Sequence, residues 1–173
     1  SKNPQAVASI GSQSYTDLEA ALKDAKDGQT ITLLQDGLSA TMSGDNRTVH
    51  FVGVDNTVKT VTVNGQTVNV PGDYTYTAST GGGTVVKRYD VTLADTDNGS
   101  ITATHKRASK NSTVTITATP DEGYVVDAVT VTEKDGDKVE VTKKDDNKYT
   151  FKMPASDVTV KVTFKAEQTE PEQ

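Results

Sequence analysis

The stretch FKMPASDVTVKVTF, residues 151–164, decides how the chain is built. Apolar and polar residues alternate up to Met153, Pro154 interrupts, and after Asp157 the alternation resumes. Period-two alternation marks a half-buried strand. With Tyr149 just upstream, it puts Tyr149, Phe151 and Met153 on one strand face. Pro154 has no N–H to give a ladder, so that strand must end there. The Asp157 carboxylate can accept backbone N–H groups at the corner. Val158, Val160, Val162 and Phe164 then return along the sheet facing inward, with Thr159, Lys161, Thr163 and Lys165 outward. The stretch reads as a structural corner between two strands.

Working upstream, the same period recurs. YDVTLAD (89–95), SITAT (100–104), STVTITATP (112–120), GYVVDAVTVTE (123–133), KVEVT (138–142) and NKYTFKM (147–153) alternate in the same way. With DVTVKVTFK (157–165) they make seven predicted strands, separated by DTDNG, PDEG and charged turns, as in a small sandwich or barrel. The phase slips near Asp127–Ala128, which predicts a bulge. In DTDNG, Gly99 is expected at positive φ.

Three successive glycines in TGGGTVVKR (80–88) read as a linker or wide loop. Ahead of them lies one predicted helix, in YTDLEAALKDAKDG (15–28), spanning about 16–27. Thr16 and Glu19 have capping-box spacing, and Leu18, Ala21, Leu22 and Ala25 form one apolar stripe. Gly28 is a plausible stop. AVASI and TITLL flank the helix as strands, and KTVTVNGQTVNV predicts a type I′ hairpin at Asn64-Gly65. The fold class is therefore mainly β, with two small domains. Residues 1–84 form a β-rich unit with one capping α-helix, residues 85–165 an all-β sandwich or barrel-like domain, and residues 166–173 (AEQTEPEQ) a disordered acidic tail or linker.

Composition narrows the function. The 173 residues carry a formal charge of −6, which argues against general affinity for nucleic acid or an anionic membrane. No Cys is present, so neither disulfides nor thiolate metal sites staple the fold. Apolar runs are too short for a membrane span. SKNPQ reads as the start of a mature or trimmed chain, so the lack of a signal peptide says little about export.

Residues 88–165 resemble the divergent InlB B-repeat type of bacterial surface module. The likeness rests on a Gly-bearing first hairpin (Gly99), a T-P-x-x-G-Y corner (Pro120, Gly123, Tyr124) and the F-x-M-P-x-x-D-V-T-V close (Phe151, Met153, Pro154, Asp157, Val158). The resemblance implies a small β domain, often in tandem, on secreted or wall-bound proteins, chiefly of Gram-positive bacteria, with no enzymatic activity. AVASIGSQSYTDLEAALKDAKDGQTITLL (6–34) is similar to the opening of right-handed β-helix surface proteins, where a helix caps the first coil. Since 37–80 show a hairpin and no clear repeat, the expectation is a short version of that fold or a different small α+β unit.

No reacting constellation is legible. His50 and His105 lack partners at metal or triad spacing. DTDNG lacks the residues of a calcium loop, EKDGDK and KKDDNK read as charged turns, and the glycines precede no Lys-Ser/Thr. HKRASK (105–110) is a solvated basic loop without interleaved aromatics. An isopeptide staple would need a buried acid that the sequence does not single out. No catalytic, cofactor-binding or metal residue is assigned, and no cofactor is expected. Tyr74 and Tyr76, on one strand face, are the candidate ligand contact.

The expected function is a non-catalytic spacer or stalk module of a larger bacterial cell-surface or secreted protein. The alternative is an adhesin or glycan-binding module, and a third reading is an accessory fragment of a polysaccharide-acting enzyme with a carboxylate-lined cleft. Expected partners are neighbouring domains of the same protein, and a host or cell-wall glycan or protein. Nucleic acid and direct membrane insertion are not expected, and the chain is expected to be a monomer.

Overall fold

The computed structural model describes residues 5–169, which divide into two units with the boundary between Lys87 and Arg88. Each has its own apolar cluster.

The first unit contains β1 (Ala8–Ile10), β2 (Gln13–Tyr15), α1 (Leu18–Asp24), β3 (Thr30–Leu33), β4 (Leu38–Ala40), β5 (Arg47–Gly53), β6 (Thr60–Val63), β7 (Gln66–Asn69), β8 (Gly72–Tyr76) and β9 (Thr84–Val86). Its core is built from stacked coils. β3 pairs parallel with β5, so that Ile31 lies beside Phe51, and β4 pairs parallel with β6, so that Leu38 lies beside Val61. Two consecutive strands thus stack on the next two, the arrangement of a β-solenoid reduced to two coils. Such a stack needs closing at both sides. On one side β1 runs antiparallel to β3 with β2 beyond it, and α1 packs against β1, β2 and β4. On the other, β7 and β8 run antiparallel to β6 and β5, and β9 follows β8.

The helix is shorter than expected. Its N-cap is Asp17, not Thr16: Asp17 is extended and its carboxylate accepts the Glu19 N–H at 3.1 Å. It ends at Asp24, and Gly28 lies beyond the cap. The stripe is as read, with Leu18, Ala21, Leu22 and Ala25 all buried. Arg47 closes the far end. Its guanidinium donates to the carbonyls of Leu22, at 2.6 Å, and of Ala25, and to Ser43 O at 2.6 Å. Asn64 and Gly65 both take positive φ in the β6–β7 hairpin.

The glycine stretch is no free linker. β9 follows it as a strand of the first sheet, so residues 85–87 belong to the first unit, where the sequence reading begins the second. Gln66 Nε2 donates to Gly83 O at 2.9 Å, and Gly83, at φ +69, sits against the Tyr74 hydroxyl and Thr75 O.

The second unit contains β10 (Arg88–Leu93), β11 (Gly99–Ala103), β12 (Arg107–Ser109), β13 (Thr113–Pro120), β14 (Tyr124–Glu133), β15 (Lys138–Val139), β16 (Thr142–Asp145), β17 (Lys148–Lys152) and β18 (Val158–Ala166). They form a five-stranded sheet, β12-β10-β18-β14-β15, and a four-stranded sheet, β11-β13-β17-β16. Val91, Val131, Val158, Val160 and Val162 of the first meet Val114, Ile116, Tyr149 and Phe151 of the second in one core: a sandwich.

Nine strands replace the seven expected. β12 is an edge strand hidden in the basic run HKRASK, where Ala108 turns inward and is buried. KVEVT is split, its first part pairing with β14 and its last residue, Thr142, beginning β16 beside β17. The Met-Pro corner ends β17 as predicted, with Met153 buried, but it carries the chain from the four-stranded sheet to the five-stranded one, so β18 does not return beside β17. Asp157 accepts the N–H of Asp90 on β10 at 2.8 Å. The register shift between Val126 and Ala128 is the expected bulge. At DTDNG the positive φ belongs to Asn98, and Gly99 is a strand residue under the Phe164 ring. Ala166, read as tail, ends β18 opposite Tyr124; residues 170–173 of that tail lie outside the described residues.

Candidate functional site

Tyr74 and Tyr76 do not form a platform. They follow β8 on the same face as Gly72, which is the core face, and their exposures are 0 % and 9 %. The Tyr74 hydroxyl accepts from Asn64 Nδ2 at 2.9 Å, and the same Asn64 amide is paired with both backbone groups of Met42. Tyr74 is therefore a core residue with its polar tip satisfied, and neither ring is open to stack on a sugar. None of the six Tyr and three Phe is among the exposed residues.

The structure does give His50 a partner. Directly across the β5–β8 ladder, Asp73 lies with Oδ1 2.6 Å from His50 Nδ1. Asp73, only 2 % exposed, is the one buried charged residue among those described, and His50 is partly exposed. No local pattern hints at the pair, whose members are separated by 23 positions and brought together by strand register. The hydroxyls nearest along these strands, Thr48 and Thr75, are 3.3 Å from each other. They lie two register positions away, so among the described residues the pair orients an imidazole without a nucleophile assembled on it. His105 Nδ1 lies 2.8 Å from the hydroxyl of its neighbour Thr104.

Two groups of acids remain. A shallow depression of about 870 Å³ beside α1 is lined by Asp17, Glu19, Asp24, Asp27 and Asp45 together with Lys23, Lys26 and Arg47. Three of these carboxylates already accept structural hydrogen bonds: Asp17 from Glu19 N, Asp24 from the Tyr15 hydroxyl at 3.1 Å, and Asp27 from Thr48 N at 2.8 Å. All five are exposed, so no desolvation separates an acid from a base here. The bond to Asp24 and partial burial push the Tyr15 phenol up, burial first. The second group is Glu133, Asp135 and Asp137 at the β14–β15 turn, with carboxylate oxygens within 4.8 Å of one another. Their all-oxygen set is of the type hard cations take. The turn's own bonds, Asp137 N to Asp135 Oδ1 and Glu133 N to Asp137 O, give it a purely structural account.

Residues 89–168 match the family model of the divergent InlB B-repeat domain. The match covers most of the second unit, the part whose motifs resemble this family. Neither the curated proteins nor the solved structures contain a match to the chain. Domains of this family are repeat modules and occur in bacterial surface proteins. No helix of the described residues is long and apolar enough to cross a membrane.

Proposed function

We propose that the chain is a non-catalytic spacer module of a larger bacterial surface protein. One observation carries this reading beyond the family match. β10 and β18, the first and last strands of the second unit, run side by side and parallel. The chain therefore enters at Arg88, three residues ahead of the pairing of Val91 with the first residue of β18, and leaves at Ala166, the last residue of β18. Three residue steps along β10 and eight along β18 separate the two points by about 36 Å at 3.3 Å per residue. A domain entered at one pole and left at the other adds its full length to the chain, as a stalk requires. Both cores are apolar and closed, and the strands of the second unit turn Thr and Lys outward.

The test is replacement within the parent protein. Exchanging Arg88–Ala166 for an unrelated domain of equal span should leave the parent's surface function intact; a loss of function would place a ligand contact in the module. A glycan and matrix-protein array probed with the purified chain should show no specific binding. The adhesin reading has lost its tyrosine contact to the core and would need a specific signal there to return.

A further inference from the structure

The geometry points to a second property: the B-repeat unit is built to bear tension, with β10 and β18 acting as a shear clamp. Force reaching the unit through the chain pulls β10 backwards from Arg88 and β18 forwards from Ala166. Because the two strands are parallel neighbours, that pull slides one along the other. The hydrogen bonds between them run across the pull and share it, so they must fail together. An antiparallel edge pair pulled sideways opens one bond at a time.

The seam is reinforced over its whole length. The ladder pairs Val91 with Val158, Thr92 with Thr159 and Leu93 with Val160. At the entry end, Asp90 N donates to the Asp157 carboxylate at 2.8 Å. Past the ladder, Ala94 N donates to Val160 O at 2.9 Å and the Thr96 hydroxyl to Val162 O at 2.7 Å. Neither strand is at an edge. β18 is central, bound on its other side to β14 from Glu133 to Tyr124, and β10 is backed by β12. Inward Val91, Val158 and Val160 are buried, so sliding would also drag apolar side chains through a packed core.

The first unit is loaded differently. Register places Ala8 beside Leu33 and Leu33 beside Gly53, while Phe51 pairs with Gly72 and Asp73 with Val86. Its first strand and its last residues thus lie at the same end of the strands, separated across the sheet by β3, β5 and β8. Tension between them acts across the ladders and peels the three-residue edge strand β9 from β8. The two units should yield at very different forces. This goes beyond the spacer reading, since a spacer need not resist load, and a negative result here leaves that reading to its own test.

The chain has no cysteine, so single-molecule handles go where they are placed. In the full chain, Lys87→Cys with Gln173→Cys loads the second unit along the clamp. Lys106→Cys with Lys138→Cys loads the same unit across its sheet, from the β12 edge to the β15 edge. Ser1→Cys with Lys87→Cys loads the first unit. At one loading rate, the first arrangement should need several-fold more force than either of the others. It should release roughly 240 Å, the extended length of Arg88–Ala166 at about 3.5 Å per residue less its folded span. Since all arrangements use the same folded protein, equal or lower force along the clamp than across the sheet, or than in the first unit, overturns the proposal.

Discussion

A Cβ added at Gly83 would meet the Tyr74 hydroxyl at 2.6 Å and press on Thr75 O, at a φ of +69 that L side chains rarely adopt. Strain and steric conflict add here, so Gly83→Ala should destabilise the first unit by about 2–3 kcal/mol in denaturant unfolding. Gly99→Ala has only the steric part, since a Cβ there lies 2.6 Å from the Phe164 ring while φ is ordinary. It should cost about 1–2 kcal/mol, in the second unit. Asp36 makes a prediction about pH. Its Oδ1 accepts Lys59 N at 2.8 Å and Thr60 N at 3.0 Å, tying the turn of the first coil to the entry of the second. Those two bonds to the carboxylate, led by Lys59 N, hold its pKa below the ordinary 3.8. A carboxyl whose folded pKa is depressed contributes stability that is whole above its unfolded pKa and disappears as pH falls through the folded one. Wild type should therefore have the higher thermal midpoint at neutral pH, and its advantage over Asp36→Asn should shrink as pH falls below the ordinary 3.8 and through the depressed folded pKa, as read by circular dichroism across a pH series.

At the scale of elements, period and turn chemistry were legible, and pairing was not. The strands around Phe151 and Val160, the Asn64-Gly65 hairpin and the bulge after Val126 follow from local rules: alternation, positive φ and a slip of phase. β12 was missed because a three-residue edge strand amid Lys and Arg carries too little period to see, and only Ala108 faces inward. The parallel ladders β3–β5 and β4–β6, and the His50–Asp73 pair, depend on contacts between distant segments, which no local rule encodes. Tyr74 and Tyr76 show the limit for sites: alternation placed them on one face but could not say which side of the sheet was dry. Arg47 belongs to this scale too. In sequence it is a lone cation in a turn, and in the structure it satisfies carbonyls at the end of α1 and in the 43–47 turn. Lysine cannot reproduce that fork. Arg47→Met should lower the stability of the first unit by about 2 kcal/mol, and Arg47→Lys should recover only part of it, as measured by urea unfolding.

At the scale of the molecule, the apolar residues of the two units form separate clusters, with Phe51 in one and Phe151 in the other, both essentially buried. A cluster of its own is the physical condition for a segment to fold alone. We infer that the units unfold as independent domains, and the absence of any disulfide makes the test direct. Truncating either phenylalanine removes a buried ring and should cost about 3–5 kcal/mol. If the units are independent, Phe51→Ala lowers one calorimetric transition and leaves the other in place, Phe151→Ala does the reverse, and the double variant shows both shifts without interaction. A single transition displaced by either substitution would mean that the units share one cooperative structure. Limited proteolysis reads the same question by a second route. Cleavage within 80–88 should release a resistant second unit, whereas the bonds holding Gly83 to Gln66 predict that the first unit loosens on the same cut, because its edge strand β9 goes with its neighbour.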